Sequence, residues 1–288
     1  MENLFSGILL PFAIAIIMLG MGLAIEIKDF KNIFLYPKAV IIGLCCQMIL
    51  LPIVAFSISS IFNFDPAFKV GLIIIAACPG GATSNLVNFL LKGNIALSIS
   101  ITVINSLITL VTIPILVSIG LEVFLLQQTE IHLPIGSSIL QIFLLTVLPV
   151  YVGVTIRHKY PQVSERIEKY NKIILPLLLL AIYSGVVFID EGEESVHIIE
   201  HIEILPYPFL LNLLSMALGW GVAKLARLRP INQFTIPIEV GLQNSALAIF
   251  VAATLLGSQT MAIVPVIYGS FSFFTTYFYG YLLKKISK

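Results

Sequence analysis

Apolar runs long enough to cross roughly 30 Å of hydrocarbon recur nine times along this 288-residue chain, at 8–25, 39–61, 68–91, 94–119, 137–156, 173–189, 205–222, 232–256 and 261–283. The spacing predicts one helical crossing per run, because a chain in lipid must satisfy its backbone polar groups within itself. With 58% hydrophobic and only 11% charged residues, a water-soluble domain is excluded. The expected fold is an all-α polytopic membrane protein with nine transmembrane helices.

Charge placement sets an expected orientation. Of the 16 Lys and Arg residues, all but Lys69 fall on one side of such a bundle, among them Lys28, Lys31, Arg157, Arg229 and Lys288. The opposite connections are acidic, with Asp190, Glu191, Glu193, Glu194, Glu200 and Glu203. By the positive-inside rule the amino terminus lies outside and the carboxy terminus in the cytoplasm of a plasma or bacterial inner membrane. The first run has no preceding Lys or Arg and reads as a retained helix rather than a signal peptide. A net charge of +1 gives no reason to expect a nucleic-acid partner. Cys45, Cys46 and Cys78 lie at membrane depth without metal-type spacing.

Two runs are interrupted. The third contains Cys78-Pro79-Gly80-Gly81, and the eighth is broken near 237–241 by Pro237 and Gly241. Proline lacks an amide proton and glycine favours non-helical backbone. Backbone freed in this way at membrane depth must line a protein-enclosed cavity. The two breaks run in opposite directions about five spans apart, the pattern of inverted-repeat transporters that bind ions and substrate at the midplane. A repeat of five plus five spans predicts that the first half has lost its opening helix.

Of the 15 carboxylates, Glu239 alone falls inside an apolar span. A charge there is costly unless something positive or water-filled compensates it, and no Lys or Arg lies at its depth. A bound cation is the natural compensator. Neutral oxygens that could complete its cage come from Ser98 and Thr102, with Asn105 and Thr109 continuing that face at helical spacing. Ser84 and Asn85 follow the first break, Gln47 stands in the second span, and Gln243 is four residues past Glu239. Hydroxyl, amide and carbonyl oxygens suit a hard alkali cation. Structural alternatives stand beside this reading: hydroxyls back-bond to their own helix, amides join neighbouring helices, and Pro-Gly breaks can be kinks.

At these residues the chain resembles the bile acid:sodium symporter family. The resemblance rests on Cys78-Pro79-Gly80-Gly81-Ala82-Thr83-Ser84-Asn85 with Lys92-Gly93-Asn94-Ile95-Ala96-Leu97-Ser98, and on Glu239-Val240-Gly241-Leu242-Gln243-Asn244-Ser245. It implies a panel domain, approximately 5–36 and 137–204, moving against a core domain, approximately 37–120 and 205–285, with broken helices near 78–82 and 237–241. It further implies one sodium site built from Ser84, Asn85, Ser98, Thr102 and Glu239. A second would use Gln47, Glu239, Gln243 and the carbonyls of Val240 and Leu242. The substrate anion would lie near Ala82, Thr83 and Asn244. Ten-span bacterial members have an additional first helix, and some carry a His-Asn pair where this chain has Phe273 and Phe274.

The resemblance implies a symporter that couples inward sodium movement to uptake of a bile-acid-like amphipath or smaller carboxylate, with sodium as coupling ion and no cofactor. Alternatives are a proton-coupled, exchange or efflux carrier, for which Cys78 would matter. An intramembrane enzyme would need a second acid-base group at depth, and the spans supply none. A non-transporting receptor on the same scaffold is a further alternative.

Overall fold

The computed structural model describes residues 5–26, 35–125, 135–188 and 198–286, and these residues form helices without β-strands. Lys28, Lys31, Lys288, Asp190, Glu191, Glu193 and Glu194, together with the expected end of the sixth span at 189, lie outside the described residues. In chain order the elements are α1 (Gly7–Leu23), α2 (Pro37–Ile61), α3 (Pro66–Ala77), α4 (Ala82–Leu90), α5 (Ile95–Phe124) and α6 (Gly136–Lys159). They continue as α7 (Pro161–Phe188), α8 (Pro206–Leu225), α9 (Pro230–Gly241), α10 (Ser245–Leu255) and α11 (Gln259–Ile286). Among the described residues five helices are individually long and apolar enough to cross a membrane, and α7, bent by 47°, makes a sixth.

Proline shapes several of these helices. Its ring crowds the carbonyl four residues earlier, and it offers no amide in return. Around Pro11, Pro52 and Pro149 the chain responds in the same way, with a π turn immediately before: Phe5–Leu9, Cys46–Leu50 and Phe143–Val147. Such turns re-aim the side chains they carry. The middle one carries Gln47.

The two divided runs lie at the centre. Every residue from Val70 to Ala77 in α3 is buried, as is every residue from Thr235 to Gly241 in α9. A helix apolar all round is enclosed by protein on every side. By contrast Phe12, Tyr151 and Ile173 of α1, α6 and α7 are largely exposed, as lipid-facing residues are. Helix α1 packs on α6 and α7 with Leu10, Ile14, Met18 and Met21 inward, at helical spacing. Close approach is possible because Gly22 faces the carbonyl of Val150 and Gly153 that of Leu19, where a Cβ would collide. Arg157 ties this group together with ion pairs to Glu26 at 3.1 Å and Glu168 at 3.5 Å.

The first break falls where the sequence indicates it. Asp65 caps α3 by accepting from the Ala67 amide at 2.7 Å, the helix ends at Ala77, and Cys78 is extended. The second falls later than the expected 237–241. Pro237 sits inside α9, which runs unbroken to Gly241, and the extended residue is Leu242. A proline inside a helix removes one hydrogen bond without ending it when packing on both sides holds the backbone, and Pro237 is fully surrounded. Asn244 then caps α10, its Oδ1 accepting from the Leu247 amide at 3.1 Å. At the crossing, Gly80 and Gln243 pair as an isolated antiparallel bridge, and the Asn244 amide donates to the Pro79 carbonyl at 2.9 Å.

Candidate cation site at the crossing

The crossing brings four helix ends together. Carbonyl ends of α3 and α9 meet the amide ends of α4 and α10, so partial charges of both signs face one small volume. Glu239, the last acidic group before the second break, is fully buried there. Its Oε2 accepts from Thr102 Oγ1 at 3.0 Å, and its Oε1 accepts from Asn88 Nδ2 at 3.2 Å. Ser98 Oγ is in direct contact with Oε1. Among the described residues the ion pairs are those of Arg157, and no cationic side chain pairs with Glu239.

The first expected ligand set is assembled almost whole. Ser98 and Thr102, one turn apart on α5, present their hydroxyls to the two carboxylate oxygens. Asn85 joins through Ser98, with its Oδ1 2.6 Å from Ser98 Oγ. The Ser98 hydroxyl carries one proton and faces two acceptors, Asn85 Oδ1 and Glu239 Oε1. Ser84 spends its own proton on the Gly81 carbonyl at 2.8 Å. The cluster is thus rich in oxygen, and the hydrogens that reach its carboxylate come from Ser98, Thr102 and Asn88. Gly80 is beside it: a Cβ there would lie 3.2 Å from Glu239 Oε2 and 3.5 Å from Ser84 Oγ.

The second expected set also converges, from positions 196 residues apart. Gln47 Nε2 donates to Gln243 Oε1 at 2.7 Å. With the Gln47 amide turned over, its oxygen instead accepts from the Gly80 amide at 3.1 Å and its nitrogen donates to the Glu239 carbonyl at 3.3 Å. Gln243 Nε2 donates to the Val240 carbonyl at 2.8 Å. The Leu242 carbonyl lies 3.6 Å from where a Gly80 Cβ would stand. Both glutamine side chains and the carbonyls of Glu239 and Val240 thus meet at the crossing through amide hydrogen bonds.

The expected substrate residues are less closely gathered. Ala82 opens α4, with Thr83 next, its Oγ1 3.6 Å from the Gly81 Cβ position. Asn244 uses its oxygen as a cap and points Nδ2 at Met18 Sδ, 3.9 Å away on α1. Asn105 and Thr109 do not join the cluster. Thr109 bonds back to the Ser106 carbonyl at 3.2 Å, and both amide atoms of Asn105 are buried without a partner.

Two groups of residues escaped the sequence reading. Asn88, one turn past Ser84 and fully buried, touches both Glu239 and Ser98. The i, i+4 spacing from Ser84 was a usable signal. The other group surrounds the Gly241 carbonyl, which accepts from Asn212 Nδ2 at 2.7 Å, Tyr268 Oη at 2.8 Å and Thr276 Oγ1 at 3.2 Å. Thr275 completes it by donating to Asn212 Oδ1 at 2.7 Å. These residues come from α8 and α11, far from either motif, and nothing in their local sequence marks them.

Residues 11–198 match the family model described as the sodium bile acid symporter family. The uncharacterized sodium-dependent transporter YocS of Bacillus subtilis is 31% identical over 81% of this chain and 70% of its own length. The ileal sodium/bile acid cotransporter of Homo sapiens is 28% identical over 97% of this chain and 81% of its own. Sodium/bile acid cotransporter 4 of Mus musculus is 30% identical over 84% of this chain, which spans only 54% of that longer protein.

Proposed function

This chain belongs to the sodium bile acid symporter family, and from that premise we propose that it imports an organic anion by coupling it to inward sodium movement. The observation that carries the reading is the fully buried carboxylate of Glu239, set among side-chain oxygens. Its negative charge is met there by hydroxyl and amide dipoles alone, and no basic side chain among the described residues pairs with it. A desolvated sodium ion meets the need with the ligand chemistry that hard cations take.

Two ions would share Glu239. One is held by Ser84, Asn85, Ser98 and Thr102, the other by Gln47, Gln243 and the carbonyls of Val240 and Leu242. With both present, one carboxylate and one monoanionic substrate bring the site to neutrality. The anion, a bile-acid-like amphipath or a smaller carboxylate, would sit by Ala82, Thr83 and Asn244, where half-helix amide ends favour negative charge. The contact of Asn244 with Met18 supports this placement at the seam between α1 and the crossing helices.

Nine crossings follow when α1, the α3–α4 pair and the α9–α10 pair each count as one. In this reading α1, α6 and α7 form the panel and the remaining helices the core, with the amino terminus outside, the carboxy terminus inside, and the plasma or bacterial inner membrane as location. Alternating access is then a rigid displacement of one group past the other, and the packing of α1 on α6 and α7 supports the division.

The test is sodium-dependent thermal stabilisation of the purified protein, followed by uptake of labelled anions into proteoliposomes. Stabilisation by sodium but not potassium is expected, with accumulation only under an inward sodium gradient. Accumulation driven by a pH gradient with sodium absent would overturn sodium coupling in favour of proton coupling.

A further inference from the structure

Asn88 lies outside both ligand sets, yet its side chain is fully buried against them. Nδ2 is 3.1 Å from Ser98 Oγ and 3.2 Å from Glu239 Oε1, so one amide group covers two atoms of the proposed first ion site. The other end of the same amide, Oδ1, is buried without a hydrogen-bond partner. A carboxamide satisfied at nitrogen and orphaned at oxygen is poised to turn over. Room for the amide is left by Gly93: a Cβ there would lie 2.5 Å from Asn88 Oδ1. Gly93 has no left-handed backbone, and the same Cβ would also lie 3.1 Å from Thr235 Oγ1.

Resting on the sodium reading above, we propose that Asn88 is a further sodium ligand, whose amide nitrogen holds Glu239 and Ser98 when the ion is away and whose Oδ1 turns inward to coordinate it on binding. The two amide faces have nearly the same shape, so the exchange needs rotation about one bond and no backbone movement. In the nitrogen-in arrangement the amide protons stand in for the cation on Glu239 Oε1 and Ser98 Oγ. In the oxygen-in arrangement the ion gains another neutral oxygen beside Asn85 Oδ1. No second charge enters the site, which suits a monovalent ion.

The experiment is a sodium titration of thermal stability and of uptake rate on wild type, Asn88→Ala, Asn88→Ser and Gly93→Ala. Loss of one neutral ligand should raise the sodium midpoint about tenfold in Asn88→Ala. Asn88→Ser, which keeps an oxygen on a shorter stem, should fall between, and it serves if the alanine variant does not fold. Gly93→Ala should shift the midpoint in the same direction by pressing on Oδ1 without touching the ion. Lower stability at every sodium concentration, with an unmoved midpoint, would show Asn88 to be structural and overturn the proposal. A wild type that does not respond to sodium at all would overturn the functional reading itself, a distinct result.

Discussion

The backbone amide of Asn244 donates to the carbonyl of Pro79 at 2.9 Å, so each broken span closes an open hydrogen-bonding position of the other. Together with the Gly80–Gln243 bridge this is the shortest piece of sheet a chain can make, set among helices. It fixes the two breaks relative to each other and, through them, the spacing of Glu239 from Ser84 and Asn85. A crossing of two discontinuous helices needs such a pin, since lipid offers no substitute partner for these amides and carbonyls.

On the proposed two-ion site, removal of the Glu239 carboxylate is expected to be the most severe single change. Glu239→Ala should abolish both sodium stabilisation and sodium-driven uptake, and Glu239→Gln should be nearly as damaging, because shape without charge does not offset desolvation of the ion. Ser98→Ala or Thr102→Ala should weaken apparent sodium affinity by about tenfold or less. Midpoints from sodium titrations check this. Sodium stabilisation retained in Glu239→Ala would remove both ion sites.

At Gly80 the limit is space. Gly80→Ala introduces a methyl group 3.2 Å from Glu239 Oε2 and 3.5 Å from Ser84 Oγ, with the Leu242 carbonyl at 3.6 Å. The expected outcome is a folded protein whose sodium affinity falls about tenfold, since crowding of a packed site costs on the order of 1–3 kcal/mol. Unaltered sodium binding in this variant would mean that the ion does not use the volume beside Gly80.

The cluster on the Gly241 carbonyl should govern stability before it governs affinity. Tyr268→Phe removes one of three donors and should cost about 1 kcal/mol. Asn212→Ala should cost more, because Thr275 loses the Asn212 oxygen it donates to at 2.7 Å. Thermal unfolding in detergent measures both. Equal stability of Asn212→Ala and wild type would show that the second break is held by packing alone.

The proposed stoichiometry has an electrical signature. Two sodium ions with one monoanion carry one net positive charge inward per cycle, so an inside-negative potential of 100 mV should assist uptake by about 2.3 kcal/mol. A potassium diffusion potential imposed with valinomycin on proteoliposomes should therefore raise accumulation. Sodium-dependent uptake that ignores the potential would leave one ion in the cycle, and the site of Gln47 and Gln243 would be the one withdrawn.

What the sequence by itself determined is what depends on local chemistry. Apolar run length marked the helices, and Cys78-Pro79-Gly80-Gly81 marked the first break to within a residue, because proline and glycine act on the backbone where they stand. The isolation of Glu239 was legible for the same reason: an unpaired carboxylate in an apolar run is costly wherever the helix packs. The second break was misplaced because Pro237 keeps its helix when neighbours surround it, a matter of packing. Only the tertiary structure decided that Gln47, turned by a π turn, reaches Gln243 across 196 residues. It alone decided that Asn88 joins the carboxylate while Asn105, on the same polar face as Thr102, does not. Helical periodicity says which side chains share a face, but what faces them belongs to another part of the chain.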